Sequence, residues 1–310
     1  MAFFAASVED ELLDRTSASD KFFSEFQIVD DPEKGRCLIT LKDRQCGDTL
    51  YIEKALLFSS CIEDVEMDNL SIISKVYGTL VMNELPDILE ELASLDKIGC
   101  LDTARNLLQF VAYLYTVNYN AQDCVDGMNK DSLDKMHLAE QLFTGSEESL
   151  TECIRDIKTF QKMYPKVFNG SKGGNIEGMD THYIASILAK LNNNQLELEE
   201  YDGSGLFVYT ALCEHSCAPN ASYSTNDDVL YMTAIQDIPA NSRICIDYIN
   251  GYYAPTNERL DILWSSYGFQ CTCERCQGSD RVRAMACQQC KTEQQSLHGF
   301  HCVMSSSSDN

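Results

Sequence analysis

Apolar and polar residues alternate through residues 26–58 in three short runs. Phe26-Gln27-Ile28-Val29 leads into the polar turn Asp30-Asp31-Pro32-Glu33-Lys34-Gly35. Leu38-Ile39-Thr40-Leu41 follows, and Cys46-Gly47-Asp48 forms a second turn before Leu50-Tyr51-Ile52-Glu53. A period of two bounded by Gly, Pro and Asp reads as strands joined by turns, and the close succession predicts a β-meander. From about 65 to 168 the period changes. Leu85-Pro86-Asp87-Ile88-Leu89-Glu90-Glu91-Leu92 repeats apolar positions every three or four residues, with Pro near its start. Residues 101–119 read as a mostly buried helix. Residues 147–164 read as another, with Ser146 as N-cap and Leu150, Cys153, Ile154 and Ile157 on one face. Gly170-Ser171-Lys172-Gly173-Gly174 breaks the pattern as a loop, and residues 182–192 predict a further helix. Strands return over 196–270, at 205–209, 229–233 and 243–248, and residues 257–265 predict a short helix. Strands, then helices, then strands again give an α+β class.

The chemistry sits after that second set of strands. Glu214-His215-Ser216-Cys217-Ala218-Pro219-Asn220 is followed some fifty residues later by Cys271-Thr272-Cys273-Glu274-Arg275-Cys276. Cys217, Cys271, Cys273 and Cys276 supply the four thiolates of a closed structural zinc site, with Zn–S distances of about 2.3 Å. A second candidate set of mixed Cys/His type is Cys287 and Cys290 with His301 and Cys302; the alternative is a mobile tail with free thiols.

These motifs resemble the signature of SET-domain protein lysine methyltransferases, whose central segment reads NHSCxPN and whose post-SET cluster reads CxCxxC. The branch most resembled is the SET-and-MYND group. The resemblance extends over Gly203-Ser204-Gly205-Leu206-Phe207, Ile244-Cys245-Ile246-Asp247-Tyr248, Tyr267-Gly268-Phe269-Gln270-Cys271 and the Lys34-Gly35-Arg36-Cys37 turn. It implies a SET-domain β-fold of small sheets with a large helical insertion and a C-terminal zinc-binding post-SET segment. The implied division is an N-terminal segment 1–25, SET strands 26–58, the insertion 59–175, the SET core 176–265, the zinc cluster 266–278 and a Cys/His-containing, partly disordered tail 279–310. Cys61 is the one cysteine between 59 and 75, where that group carries its MYND module, so the module is expected to be absent.

The resemblance also implies roles. Tyr248 stands at the catalytic tyrosine position, and Tyr267 walls the lysine channel. Phe269 packs on the adenine of S-adenosylmethionine. Lys34, Gly35, Arg36, Asn192, Glu214 and His215 fall at cofactor-binding positions, His215 through its backbone. Two residues depart from the pattern. Cys37 replaces the second glycine of a GxG turn, and Glu214 replaces the asparagine of NHSC, placing a carboxylate where the cofactor's own carboxylate comes close. These departures keep open an alternative, a catalytically degenerate SET protein that serves as a protein-interaction module.

Composition adds direction. With 48 acidic and 24 basic residues the net charge is -24. Such a surface repels phosphate, which argues against direct nucleic-acid binding, and attracts cationic partners. The expected partner is a protein substrate with an exposed lysine, a histone or other basic protein. Fifteen cysteines in a 310-residue chain, scattered singly before position 200, fit metal binding in a reducing compartment rather than a disulfide scaffold. The first ten residues lack a basic n-region, so no signal peptide is expected. The apolar stretch 107–117 is shorter than the roughly 20 residues of a membrane span. The expected location is the nucleus, the cytoplasm or both.

Overall fold

The computed structural model describes residues 18–32, 35–60, 84–118, 130–165, 167, 180–198, 203–278, 280, 282, 284–286 and 293–295. The chain divides into two compact units, residues 1–214 with 221–244, and residues 215–220 with 245–310.

In the first unit, helix α1 (Ala18–Glu25) runs into strand β1 (Phe26–Asp31), which pairs antiparallel with β2 (Gly35–Thr40). Asp31 faces Gly35 at the end of this hairpin. Gly35 has φ +78°, in the left-handed region that a Cβ disfavours. Strand β3 (Thr49–Lys54) does not join β2, so the expected meander is not formed. The far edge of β2 is taken by a distant segment instead: Ile39 bridges Arg243, and the Ile244 N–H donates to the Leu38 carbonyl at 2.9 Å. Arg44 and Ile238 exchange two backbone hydrogen bonds of 2.8 and 2.9 Å, which turns the chain away before β3 begins. Once that edge is satisfied, β3 pairs elsewhere.

Strand β4 (Leu57–Ser60) belongs to a second sheet with β5 (Leu196–Leu198) and β6 (Gly203–Leu206), in the order β4-β6-β5. The β7 (Ala221–Asn226) and β8 (Val229–Ala234) hairpin receives β3, in the order β3-β8-β7. Along β8 burial alternates, with Leu230, Met232 and Ala234 inward, the period-two pattern of a half-buried strand.

Helices α2 (residues 84–93), α3 (Leu101–Asn118), α4 (Lys130–Ala139), α5 (Glu147–Met163) and α6 (Thr181–Asn194) complete this unit. Ser146 Oγ caps α5 by accepting from the Ser149 N–H at 3.1 Å, as the sequence predicts, and Asp180 caps α6 in the same way through Tyr183 at 2.7 Å. The buried face of α5 is Cys153, Asp156, Ile157 and Phe160, so it is turned relative to the expected stripe: Leu150 and Ile154 are only half-buried. Asp156 is inside because its carboxylate accepts the Lys97 N–H at 2.6 Å. Helix α3 buries Leu107, Leu108, Phe110 and Val111. It fastens its polar side to the second sheet through Asn106 to Ser204 (3.1 Å) and Gln109 to the Phe58 carbonyl (3.3 Å).

Glu53 at the end of β3 is 1% exposed. Its carboxylate accepts the N–H groups of Tyr209 and Thr210 at 2.8 and 3.0 Å and the Thr210 hydroxyl at 2.9 Å. It thereby caps the short 3-10 turn Thr210–Leu212, just before Glu214. Burial pushes its carboxyl above the usual range, against the opposing pull of Lys135 and these donors.

The second unit contains residues 215–220, the segment 245–255, helix α7 (Thr256–Tyr267), the one-turn helix α8 (Glu274–Gln277) and a short hairpin of Ala284–Ala286 with Glu293–Gln295. Its small core is Cys217, Leu263 and Cys271, with Ile249, Leu260, Tyr267 and Phe269 packed around it. Among the described residues no helix is long and apolar enough to cross a membrane.

Candidate active site and metal centre

Four sulfurs organise the second unit. Those of Cys217, Cys271, Cys273 and Cys276 all lie within 4.8 Å of one another. Tetrahedral zinc at about 2.3 Å from each sulfur separates the sulfurs by about 3.8 Å, so the cluster has the right size. Gly268 ends α7 in the left-handed conformation (φ 73°), which turns the chain back toward Cys271. The Cys276 N–H donates to the Cys273 carbonyl at 3.0 Å, and this tight turn brings both sulfurs of the pair to one side. Cys217 arrives on a segment laced to residues 245–248. Ser216 N–H donates to the Ile246 carbonyl (2.9 Å), Asn220 N–H to the Cys245 carbonyl (3.1 Å), and Cys245 N–H to Asn220 Oδ1 (2.8 Å).

The surroundings suit an anionic tetrathiolate. Arg259 is 1% exposed, and its guanidinium donates to Cys276 Sγ at 3.5 Å, to the Ala254 carbonyl at 2.6 Å and to Thr256 Oγ1 at 3.1 Å. A buried cation needs a compensating anion, and metal-bound thiolates supply it. His215 contributes a second donor. Its Nδ1 accepts the Tyr248 N–H at 3.1 Å, so its ring proton resides on Nε2, which lies 3.2 Å from Cys217 Sγ. Hydrogen bonding from Cys217, then from His215, holds the Cys271 thiol far below its usual range, while the same contact pushes Cys217 up. Binding of a metal ion would release the thiol protons. The donor set therefore fits Zn²⁺. The candidate second set, Cys287, Cys290, His301 and Cys302, lies outside the described residues, as do residues 61–75 of the expected MYND position.

An aromatic group sits on this metal centre. Tyr248 and Tyr267 have ring centroids 5.2 Å apart, inclined at 48°. His215 lies 5.3 Å from Tyr248 and 5.9 Å from Phe269, and Phe269 lies 6.4 Å from Tyr267. The Tyr267 hydroxyl donates to the Tyr248 carbonyl at 3.4 Å. Asp247 accepts the N–H groups of Ile249 and Gly251 at 3.1 and 2.9 Å, fixing the turn after Tyr248. The three aromatic residues singled out in the sequence are thus brought together around His215, each half-buried.

The remaining candidates fall in the first unit. Gly35, Arg36 and Cys37 lie not in a turn, as the sequence suggests, but at the start of β2, paired with Asp31, Asp30 and Val29, and Arg36 donates to Gln141 Oε1 at 2.7 Å. Lys34 lies outside the described residues. Asn192 is near the end of α6, and its Nδ2 donates to the Lys97 carbonyl at 2.7 Å, which ties α6 to the chain after α2. Glu214 accepts from Arg243 Nη1 at 2.8 Å. Sequence reasoning did not single out Arg243, Arg259 or Glu53. For Arg259 a signal existed: it stands four residues before buried Leu263, on the apolar face of a helix beside a cysteine cluster.

Fold and site together define a SET domain, and the chain belongs to that family: the SET domain model matches residues 35–249. Among curated relatives, N-lysine methyltransferase SMYD2-B of Xenopus laevis is 27% identical over 175 residues, covering 49% of this chain and 40% of that protein. Protein-lysine N-trimethyltransferase SMYD5 of Mus musculus is 36% identical over 104 residues, covering 32% and 25%. The chain thus spans less than half the length of these relatives. Among solved structures, the SET domain of LSMT bound to MeLysine and AdoHcy aligns at 13% identity with a TM-score of 0.44, over 86% of this chain and 59% of that one.

Proposed function

We propose that the chain is an S-adenosylmethionine-dependent protein-lysine N-methyltransferase acting on histones or other basic proteins, with a structural zinc ion at Cys217, Cys271, Cys273 and Cys276. The observation that carries the reading is the arrangement of Tyr248, Tyr267 and Phe269 around His215, on a tetrathiolate centre, within a SET-family chain. The names of its relatives, lysine methyltransferases, support the same reaction class.

S-Adenosylmethionine supplies an electrophilic methyl group on a sulfonium. The residues of this chain prepare the nucleophile. Lysine must lose its proton before attack, and half-buried aromatic walls at Tyr248 and Tyr267 disfavour the ammonium by desolvation. The Tyr248 hydroxyl would orient the ε-amine, and the clustered aromatic rings would keep water from it. Phe269 offers its ring to the adenine. In the first unit, Gly35, Arg36, Asn192 and Glu214 are assigned to the cofactor by the family resemblance, with Lys34 beside them in sequence. Net charge of -24 draws a lysine-rich protein toward the surface.

Differential scanning of the zinc-loaded chain tests cofactor binding. Ligand at about 100-fold its Kd adds about 2.7 kcal/mol of stability and raises the melting temperature by a few degrees. An unchanged melting temperature with millimolar S-adenosylmethionine and S-adenosylhomocysteine would contradict the reading and favour a module that transfers nothing.

A further inference from the structure

The two departures from the family pattern, Cys37 and Glu214, are neighbours in the first unit, and a third residue joins them. Backbone pairing sets the frame. The Ile244 N–H donates to the Leu38 carbonyl at 2.9 Å, and the Ile244 carbonyl accepts the Glu214 N–H at 3.1 Å. Residue 243 therefore lies between β2 and the Glu214 segment. Arg243 uses that place to bridge two carboxylates, donating through Nη1 to Glu214 Oε1 at 2.8 Å and through Nη2 to Asp31 Oδ2. Asp31 stands opposite Gly35 in the hairpin register. The bridge thus links the Gly35 end of the hairpin to Glu214. Exposure grades outward, from 10% at the Glu214 side chain to 19% at Asp31 and 35% at Arg243, so the guanidinium is the most accessible member. Cys37 is fully buried, and burial, then the adjacent Glu214 carboxylate, pushes its thiol up to about 11. It stays a neutral thiol beside Glu214.

Two carboxylates with one guanidinium between them carry a net charge of -1. An α-amino acid head is the matching ligand, with an ammonium and a carboxylate a few ångströms apart. A lone Glu214 would attract the first and repel the second. Arg243, a fixed cation with five N–H donors in a planar fork, suits the second and screens the repulsion.

We propose that Arg243 is a specificity-determining residue of this site, a guanidinium that replaces lost asparagine chemistry by aiming Glu214 and receiving the carboxylate of a zwitterionic amino-acid head. The assignment rests on the proposed cofactor reading and extends it to a residue that none of the sequence motifs named.

Calorimetric titration of the zinc-loaded chain with two ligands tests it: S-adenosylhomocysteine, which carries the head, and 5′-methylthioadenosine, which lacks it. Wild type binds the first more tightly. Arg243→Gln lowers affinity for S-adenosylhomocysteine about tenfold or more, the scale of a lost charge-assisted contact, and leaves 5′-methylthioadenosine within about twofold. Glu214→Gln/Arg243→Gln, which removes the more buried carboxylate together with its cation, gives the same selective loss and serves if the single variant does not fold. Arg243→Lys recovers part of it. Equal weakening of both ligands in the variants means a purely structural bridge and overturns the proposal, as does undiminished binding of S-adenosylhomocysteine. If wild type binds neither ligand, the cofactor reading itself falls and this assignment with it; that outcome is seen before any variant is compared.

Discussion

Tyr248 is held through its backbone as well as through its ring contacts with His215 and Tyr267. Its N–H goes to His215 Nδ1 at 3.1 Å, and its carbonyl accepts the Tyr267 hydroxyl at 3.4 Å. Asp247 fixes the turn that follows. Tyr248→Phe therefore removes one oxygen without touching the backbone frame. We expect turnover to fall on the order of 100-fold, the cost of a misplaced nucleophile, with cofactor affinity and melting temperature nearly unchanged. Steady-state kinetics beside calorimetry on the same preparation checks this; full activity would move the active site elsewhere. Tyr248, Tyr267, Phe269 and the four cysteines were legible in the sequence because each stands in a spaced motif. Arg243 was not. One basic residue before Ile244-Cys245-Ile246 signals nothing until the fold brings Asp31 and Glu214 to it across 212 and 29 positions of chain.

At the scale of elements, α7 joins the aromatic group to the metal centre. Leu263 and Tyr267 face the small core, and Arg259 points a buried guanidinium at Cys276 while holding the Ala254 carbonyl and Thr256. Outer partners of metal ligands typically contribute 10- to 100-fold in metal affinity. Arg259→Leu should weaken zinc by about that factor in chelator competition, with Arg259→Lys between it and wild type. Unaltered zinc affinity in Arg259→Leu would mean that the guanidinium serves only Ala254 and Thr256. Helix positions and caps were readable locally, since Ser146 and the apolar periods act within a few residues. Strand partners were not. β3 carries a short apolar run, Leu50-Tyr51-Ile52, and nothing within residues 26–58 tells it to pair with Val229–Ala234 rather than with β2. The α5 face was misread because Asp156 counts as polar until the Lys97 N–H is found against it.

Across the whole molecule, the SET family match runs from residue 35 to 249 and takes in helices α2 to α6, with strands β2 to β4 before them and β5 to β8 after them. The charge of -24 belongs to this scale as well. Attraction between exposed charges reaches about 10 Å at 0.1 M salt and about 3 Å at 1 M, so rates on basic proteins should fall as salt rises. The most direct test of the central claim is mass spectrometry of a histone incubated with the zinc-loaded chain and S-adenosylmethionine. The account predicts methyl groups on lysine ε-nitrogens, formed faster at low salt and lost with Tyr248→Phe. Unmodified lysines on histones and on a panel of other basic proteins, from a preparation that binds the cofactor, would contradict it.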